Sequence, residues 1–530
     1  MPTRKAIVQY IDQLYSLKLD EDEFKLRVVR LKKLGKIVPT ILFELISKAD
    51  FNKKQFLFAI LSEIGDDHVI ARLREFITNP NETDETKLLA AVAVYQIGGY
   101  LDFWVLEDNL SNPQVLGKKI IENMLEKSEE PWFIKVFLEN FPGLIREGQF
   151  AALDDFATFS GDKRIVNFLG PLSEIIDDEL NEIIIPILVD SHDRRAFQCL
   201  QKIIKRSDSK LLQNMARQAI FKLGTYVDDN PSPEQNKYQF YQAYASTCDG
   251  SGSSIYVFAV MDNDKKIRCI DFVNNDLDGI KDSFGGIFST EDFARFTQDL
   301  KAQRAFLMIQ APPAFILEKA KAAEDLTAQL KNKLPVEYLA FRDILFDFNT
   351  DGASYQEMKQ TFSNFRESIL QQKDEIFAQT EKLYEFDEVR NSWFIDFELI
   401  AKSIEKYISI ELKANSVFSD KTQKEIEKLF DQTAKRLFKT EFLKLMVERL
   451  NEYALLCFIG KKNERAKFAI VASETLFDCP PDQHPFLRKM LDHSFFVHLT
   501  DDSESLLFED EIIDEDLLGK SLEGEDDLLK

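Results

Sequence analysis

From Lys5 to about Leu223, apolar residues recur at the three- and four-residue spacing of an amphipathic helix, with only short polar breaks between the series. Leu26, Val29, Leu31 and Leu34 form one such series, and Ile41, Leu42, Leu45 and Ile46 form the next. A stretch this long cannot be one helix, so it has to fold as successive helices that bury their apolar stripes against each other. With only 19 Gly and 16 Pro in 530 residues, few positions interrupt those helices.

Several of the helices end alike. Residues 59–66 (AILSEIGD), 92–98 (VAVYQIG) and 219–224 (AIFKLG) each close an apolar segment containing small residues on a glycine, and 156–162 (FATFSGD) is a weaker fourth case. Small side chains let two helices approach closely, and a glycine in the left-handed conformation satisfies the last carbonyls of a helix. On these residues the chain resembles the HEAT-like repeat family over about residues 50–225, with Ile64-Gly65-Asp66-Asp67 as the best instance. The resemblance implies paired helices stacked into a curved solenoid. Gly65 to Gly98 is 33 residues, whereas Gly98 to Gly161 and Gly161 to Gly224 are each 63, so against repeat lengths of about 40–47 the stack is irregular. The other reading of the same glycines is a non-repeating helical bundle with ordinary helix ends.

Beyond residues 228–233 (DDNPSP) the pattern changes from helical spacing to alternation, which places a domain boundary near 225–236. Strands are expected at 238–246, 254–261 and 265–272, joined by 248–252 (CDGSG) and by the short turn 262–264. After Phe284-Gly285-Gly286 a helix is expected from Ser289, whose spacing to Asp292 is that of a capping box. From Ser354 the chain returns to helix. Ile426, Leu429, Phe430, Thr433, Ala434, Leu437 and Phe438 line one face there, and 442–476 resembles an antiparallel tetratricopeptide-type helix pair turning at 460–463, with Ala466, Ala469 and Ala472 on its small face. The expected fold is therefore mainly α: an irregular HEAT-like α-solenoid over 1–225, a small α+β module over 237–350, a helical domain over 354–499 and a disordered acidic tail over 500–530.

The formal charge of −24 disfavours nucleic acid and anionic lipid as ligands. Arg4-Lys5, Arg27 to Lys36 and Lys202 to Lys210 are local basic stretches, read as solvated helix faces. No apolar run reaches the roughly 20 residues that span a bilayer, and the first 20 residues are too charged for a signal peptide, so the chain is read as cytoplasmic. Cys199, Cys248, Cys269, Cys457 and Cys479 are widely spaced and read as reduced, mostly buried thiols. The tail from Asp501 holds 13 acids and 2 bases, or −11, interleaved with Phe508, Leu517 and Leu518, which are apolar anchors suited to docking on a partner.

Asp347, Asn349 and Asp351 stand at positions 1, 3 and 5 of a calcium-type loop followed by Gly352, but position 12 is Met358, with Glu357 one place early. These four oxygen donors are the metal candidates, against a turn followed by a Ser354–Glu357 capping box. Residues 274–279 begin the same way and reach Gly285 where the last carboxylate belongs. The glycines of the α+β module lack a phosphate-loop arrangement, and His493 and His498, five apart on a helix, face different ways. The function these features favour is a non-catalytic protein–protein interaction scaffold or adaptor with no cofactor. An enzyme using the turns near Asp276, Asp278 and Asp282, or a weak divalent-cation-responsive regulator, is the alternative.

Overall fold

A computed structural model describes residues 3–17, 21–35, 37–97, 109–226, 238–346, 352–414 and 419–508. The chain is mainly helical, with one five-stranded antiparallel sheet in its middle. It divides into two compact units, residues 1–130 with 142–166, and residues 131–141 with 167–530. Helices before residue 225 thus belong to both, and those after residue 167 share a unit with the sheet.

The first unit contains α1 (Arg4–Ser16), α2 (Glu21–Lys32), α3 (Ile37–Ile46), α4 (Phe51–Ile64), α5 (Asp67–Thr78), α6 (Asp84–Gln96) and α7 (Pro113–Glu126). After α8 (Pro131–Asn140), a part of the second unit, α9 (Arg146–Ala157) completes it. Side-chain caps set the starts: Thr3, Asp50, Asp66 and Asn112 each accept from a backbone N–H of the first turn of α1, α4, α5 and α7, a device that stabilises a helix by about 1 kcal/mol. Each helix packs on neighbours one or two places away, α4 on α2, α3 and α6, and α5 on α6. In α2 the inward stripe is Phe24, Val28 and Leu31, while Leu26 and Val29 from the sequence series face outward and are exposed.

The terminal glycines work differently from the sequence expectation. Gly65 has φ −58°, and neither Gly161 nor Gly224 is left-handed; among the described residues the left-handed glycines are Gly35, Gly252 and Gly279. What Gly65 provides is room, because a Cβ there would lie 2.4 Å from Cδ1 of Ile97. The glycine lets the end of α6 close onto the turn between α4 and α5, and Asp66 starts the next helix at once. Gly98 lies outside the described residues.

In the second unit, α10 (Val166–Leu172), α11 (Asp178–Asp190), α12 (Arg195–Arg206) and α13 (Lys210–Gly224) lead to the sheet, with α13 packed on both α11 and α12. The strands are β1 (Gln239–Ser246), β2 (Ser253–Met261), β3 (Ile267–Asn275), β4 (Gly279–Phe288) and β5 (Met308–Gln310), in the order β4-β3-β2-β1-β5. The sequence marks the first three and misses the edge strands. In β4 Gly285 and Gly286 stand where a β-branched residue would signal a strand, and Gly285 is required there: a Cβ would sit 2.1 Å from the buried ring of Phe341. Helix α14 (Thr290–Ala302), capped by Ser289 as expected, covers one face with Phe293 and Phe296. Helices α15 (Pro313–Gln329) and α16 (Val336–Phe341) cover the other, where Phe272 stacks on Tyr256 and meets Tyr338 edge-on.

The rest of this unit is helical: α17 (Ala353–Leu370), α18 (Phe397–Ala414), α19 (Asp420–Leu437), α20 (Thr440–Ile459), α21 (Asn463–Thr475) and α22 (Pro485–Phe508). The expected pair α20–α21 is present, with Ala466, Ala469 and Ala472 fully buried and Lys461 rather than Gly460 taking the left-handed turn position. The α19 stripe is internal too, with Leu429, Thr433, Ala434 and Phe438 buried. One expectation is corrected here: helix α17 starts after Gly352 with no side-chain cap, so Ser354 lies inside the first turn instead of capping it. Helix α22 is anchored by buried Phe486 and Phe495.

Candidate functional site

The most built polar region lies in the second unit, where the α10–α11 junction meets the ends of α12, α15 and α16. Glu174 follows Pro171, which stops α10 from continuing regularly, and its carboxylate is almost fully buried. Arg342, directly after α16 and itself buried, bonds Glu174 Oε1. Lys202 of α12 donates to the same oxygen at 3.2 Å, and Arg206 stands 3.6 Å from Oε2. Lys202 also lies 3.5 Å from Glu324 of α15. Lys202 and Arg206, within a stretch read from sequence as a solvated face, therefore turn inward. Burial pushes the Glu174 carboxyl up, but the cations of Arg342, Lys202 and Arg206 outweigh it and hold the group at about 2. Glu174 is therefore a carboxylate throughout the neutral range. Cys199, beside it on α12, is pushed up to about 11 by burial and stays a thiol.

A partly enclosed cavity of about 170 Å³ opens against this cluster. Glu174 and Asn181 contribute from the α10–α11 segment, Arg206 and Ser207 from the end of α12, and Lys331 and Lys333 from the loop after α15. Asn181 is buried; its Nδ2 donates to Ser173 O at 3.1 Å, while its Oδ1 has no hydrogen-bond partner. Ser207 donates to Asp178 Oδ2 at 2.7 Å, and Arg206 donates to Asn332 O at 3.1 Å. Such a recess can hold water or a small polar molecule.

A second buried cation explains the turns of the sheet. Arg449 of α20 donates from Nε to Asp276 Oδ2 at 2.7 Å and from Nη2 to Oδ1 at 2.9 Å, a bidentate pair, and also bonds the carbonyls of Ser251 (2.9 Å) and Gly250. A Cβ on Gly252 would fall 2.0 Å from Asp276 Oδ1, and one on Gly250 would fall 2.9 Å from Ser392 O. Trp393 adds a bond from Nε1 to Cys248 O at 2.8 Å. The glycine-rich turn 248–252 is thus a close-packed junction between sheet and helices.

The other sequence candidates have varied surroundings. Asp278 pairs with Lys281 at 2.8 Å on the surface, and Asp282 accepts from Ser283 N at 2.9 Å. Asp282 raises the pKa of Asp271, which burial, the larger cause, already pushes up, to about 6 in all, despite a bond from Phe284 N. Asp347, Asn349 and Asp351 lie outside the described residues, and Glu357 is exposed on α17. Leu517 and Leu518 also lie outside them, and Phe508 is the last residue of α22. His493 and His498 of α22 each meet a carbonyl, Arg390 O at 2.5 Å and Ile395 O at 2.8 Å. The described cysteines are free, four buried and Cys479 partly so. Among the described residues no helix is long and apolar enough to cross a membrane.

Glu174, Arg342 and Arg449 were not singled out in the sequence. Their signal was there: each is a charge set in an apolar run, PLSEII, YLAFRDILF and LMVERL. A charge in such a run has to leave the core or find a partner. No family model, no curated protein and no solved structure matches this chain.

Proposed function

We propose that the chain is a non-catalytic scaffold or adaptor that binds other proteins through the outer faces of its HEAT-like helices. The observation that carries this reading is on α13. Its inner side is buried through Leu212, Ala216, Ala219 and Leu223, yet Leu211 and Phe221 stand 63% and 80% exposed on the outside. Large apolar side chains held in water on one well-packed helix are anchors that a protein partner can cover. The rigid setting fits as well, since Arg449–Asp276 ties a turn of the sheet to α20 and Arg342–Glu174 ties the helices before the sheet to those that cover it.

The test is affinity purification of the full chain beside a Leu211→Ser/Phe221→Ser variant and a version ending at Leu499. A stoichiometric partner that is recovered with the full chain and lost with the double variant, whose melting temperature is unchanged, supports the reading. Equal recovery by both, or no partner with either, removes it. Loss on truncation alone moves the contact to the acidic tail.

A further inference from the structure

The outer face of α13 is cationic as well as apolar. Lys210, Asn214, Arg217 and Phe221 follow one another at helical spacing on its exposed side, with Leu211 and Lys222 beside them. The helix carries three bases and no acid, in a chain whose total charge is −24. Those bases are little engaged. Lys210 makes no ion pair among the described residues, Arg217 donates to the neutral amides of Asn214 (3.0 Å) and Gln213 (3.4 Å), and Lys222 stands 3.6 Å from Asp190 on the surface. Two exposed apolar anchors are thus set among cations. The sequence holds the reverse pattern at 509–518 (EDEIIDEDLL), where six acids and no base surround Ile512, Ile513, Leu517 and Leu518.

We propose that this acidic segment of the chain docks on the outer face of α13, with Leu517 and Leu518 against Leu211 and Phe221 and the carboxylates before them meeting Lys210, Arg217 and Lys222. The inference rests on the reading of this face as a protein-binding surface and gives that surface a regulator, since a partner has to displace the chain's own segment. The segment continues from Phe508, which ends α22 in the same compact unit as α13. From Phe508 to Leu517 the extended backbone reaches about 30 Å, against a radius of gyration of about 20 Å for a unit of this size. Tethering supplies an effective concentration of about millimolar, so a weak contact suffices. The negative charge of the chain as a whole repels the segment elsewhere, which favours the one helix that carries bases alone.

The test is zero-length carbodiimide coupling of the full chain, which joins a lysine amine to a carboxylate in contact with it, followed by mass spectrometry. An equal mixture of isotope-labelled and unlabelled chain separates links within one chain from links between two. The expected result is links within one chain from Lys210 and Lys222 to the carboxylates of 509–516. Leu211→Ser/Phe221→Ser, which keeps both lysines and changes only exposed side chains, should reduce them at least about fivefold, the loss of an apolar anchor. Leu517→Ser/Leu518→Ser should do the same. Absence of these links, or links unchanged in Leu211→Ser/Phe221→Ser, overturns the proposal, and links found only between labelled and unlabelled chains overturn docking within one chain in favour of a second copy's segment. Partner recovery is scored separately with Leu517→Ser/Leu518→Ser: a rise above wild type supports the regulatory role, and an unchanged or lower recovery overturns it. Links in a chain that recovers no partner remove the scaffold reading and leave the docked segment standing.

Discussion

Replacing Arg449 by Met keeps the length and apolar stem of the side chain but removes the guanidinium that joins α20 to two turns of the sheet. The change strands the Asp276 carboxylate, only about a quarter exposed, and removes the donor to Gly250 O. Breaking one partner of a buried pair costs about 3–5 kcal/mol, and an unpaired buried carbonyl about 1–3 kcal/mol. Water reaching Asp276 offsets part of this, so the expected loss is about 3–4 kcal/mol. The companion Asp276→Asn in the same background should restore about 1–2 kcal/mol, because the stranded charge is gone while the turn geometry set by Gly252 survives. Urea unfolding reads the loss, and hydrogen exchange of amides 249–253 and 276 reads its location. A loss under about 1 kcal/mol for Arg449→Met, below the range for a broken buried pair, refutes the clamp. So does a double variant as unstable as the single one, since the carboxylate would then carry none of the cost.

Four further outcomes are expected from the same packing. His484 is fully buried, bonded through Nε2 to Thr475 Oγ1 at 2.9 Å, and burial lowers its pKa to about 4. Stability is therefore complete above the unfolded value of 6.5 and declines as pH falls towards 4, by about 2 kcal/mol between pH 7.5 and pH 5, a slope that His484→Gln should flatten in urea titrations at the two pH values. Asp271, raised to about 6, is the opposite case: its ionisation costs stability above pH 3.8 and in full above 6. Asp271→Asn keeps the acceptor for Phe284 N and should stabilise by about 1–2 kcal/mol at pH 7.5, with the gain vanishing below about pH 4. Glu174→Gln should cost about 3–5 kcal/mol at pH 7.5 by leaving Arg342 buried and unpaired, and the penalty should shrink as pH drops from 4.5 towards 2, where the wild-type carboxyl itself protonates. Gly65→Ala should cost about 1–3 kcal/mol through overpacking against Ile97, and Ile97→Ala should suppress that cost in a double-variant melt.

The features legible in the sequence are those that depend on local period. The α19 stripe, the alanine face of α21, the Ser289 cap and three central strands each announce themselves within a dozen residues, because burial on one side of an element imposes a fixed spacing. The features that were not legible depend on what lies across the fold. Gly65 and Gly285 resemble a helix stop and a loop in isolation, and their purpose appears only when Ile97 and Phe341 are set beside them. Glu174 and Arg342 are 168 residues apart, so neither reveals its partner, although each interrupts an apolar run in a way that demands one. The same reasoning decides what Asp276 means. As an acid in a turn it is a candidate for chemistry, and across the fold it is the carboxylate that one guanidinium grips through both oxygens, joining the sheet to α20.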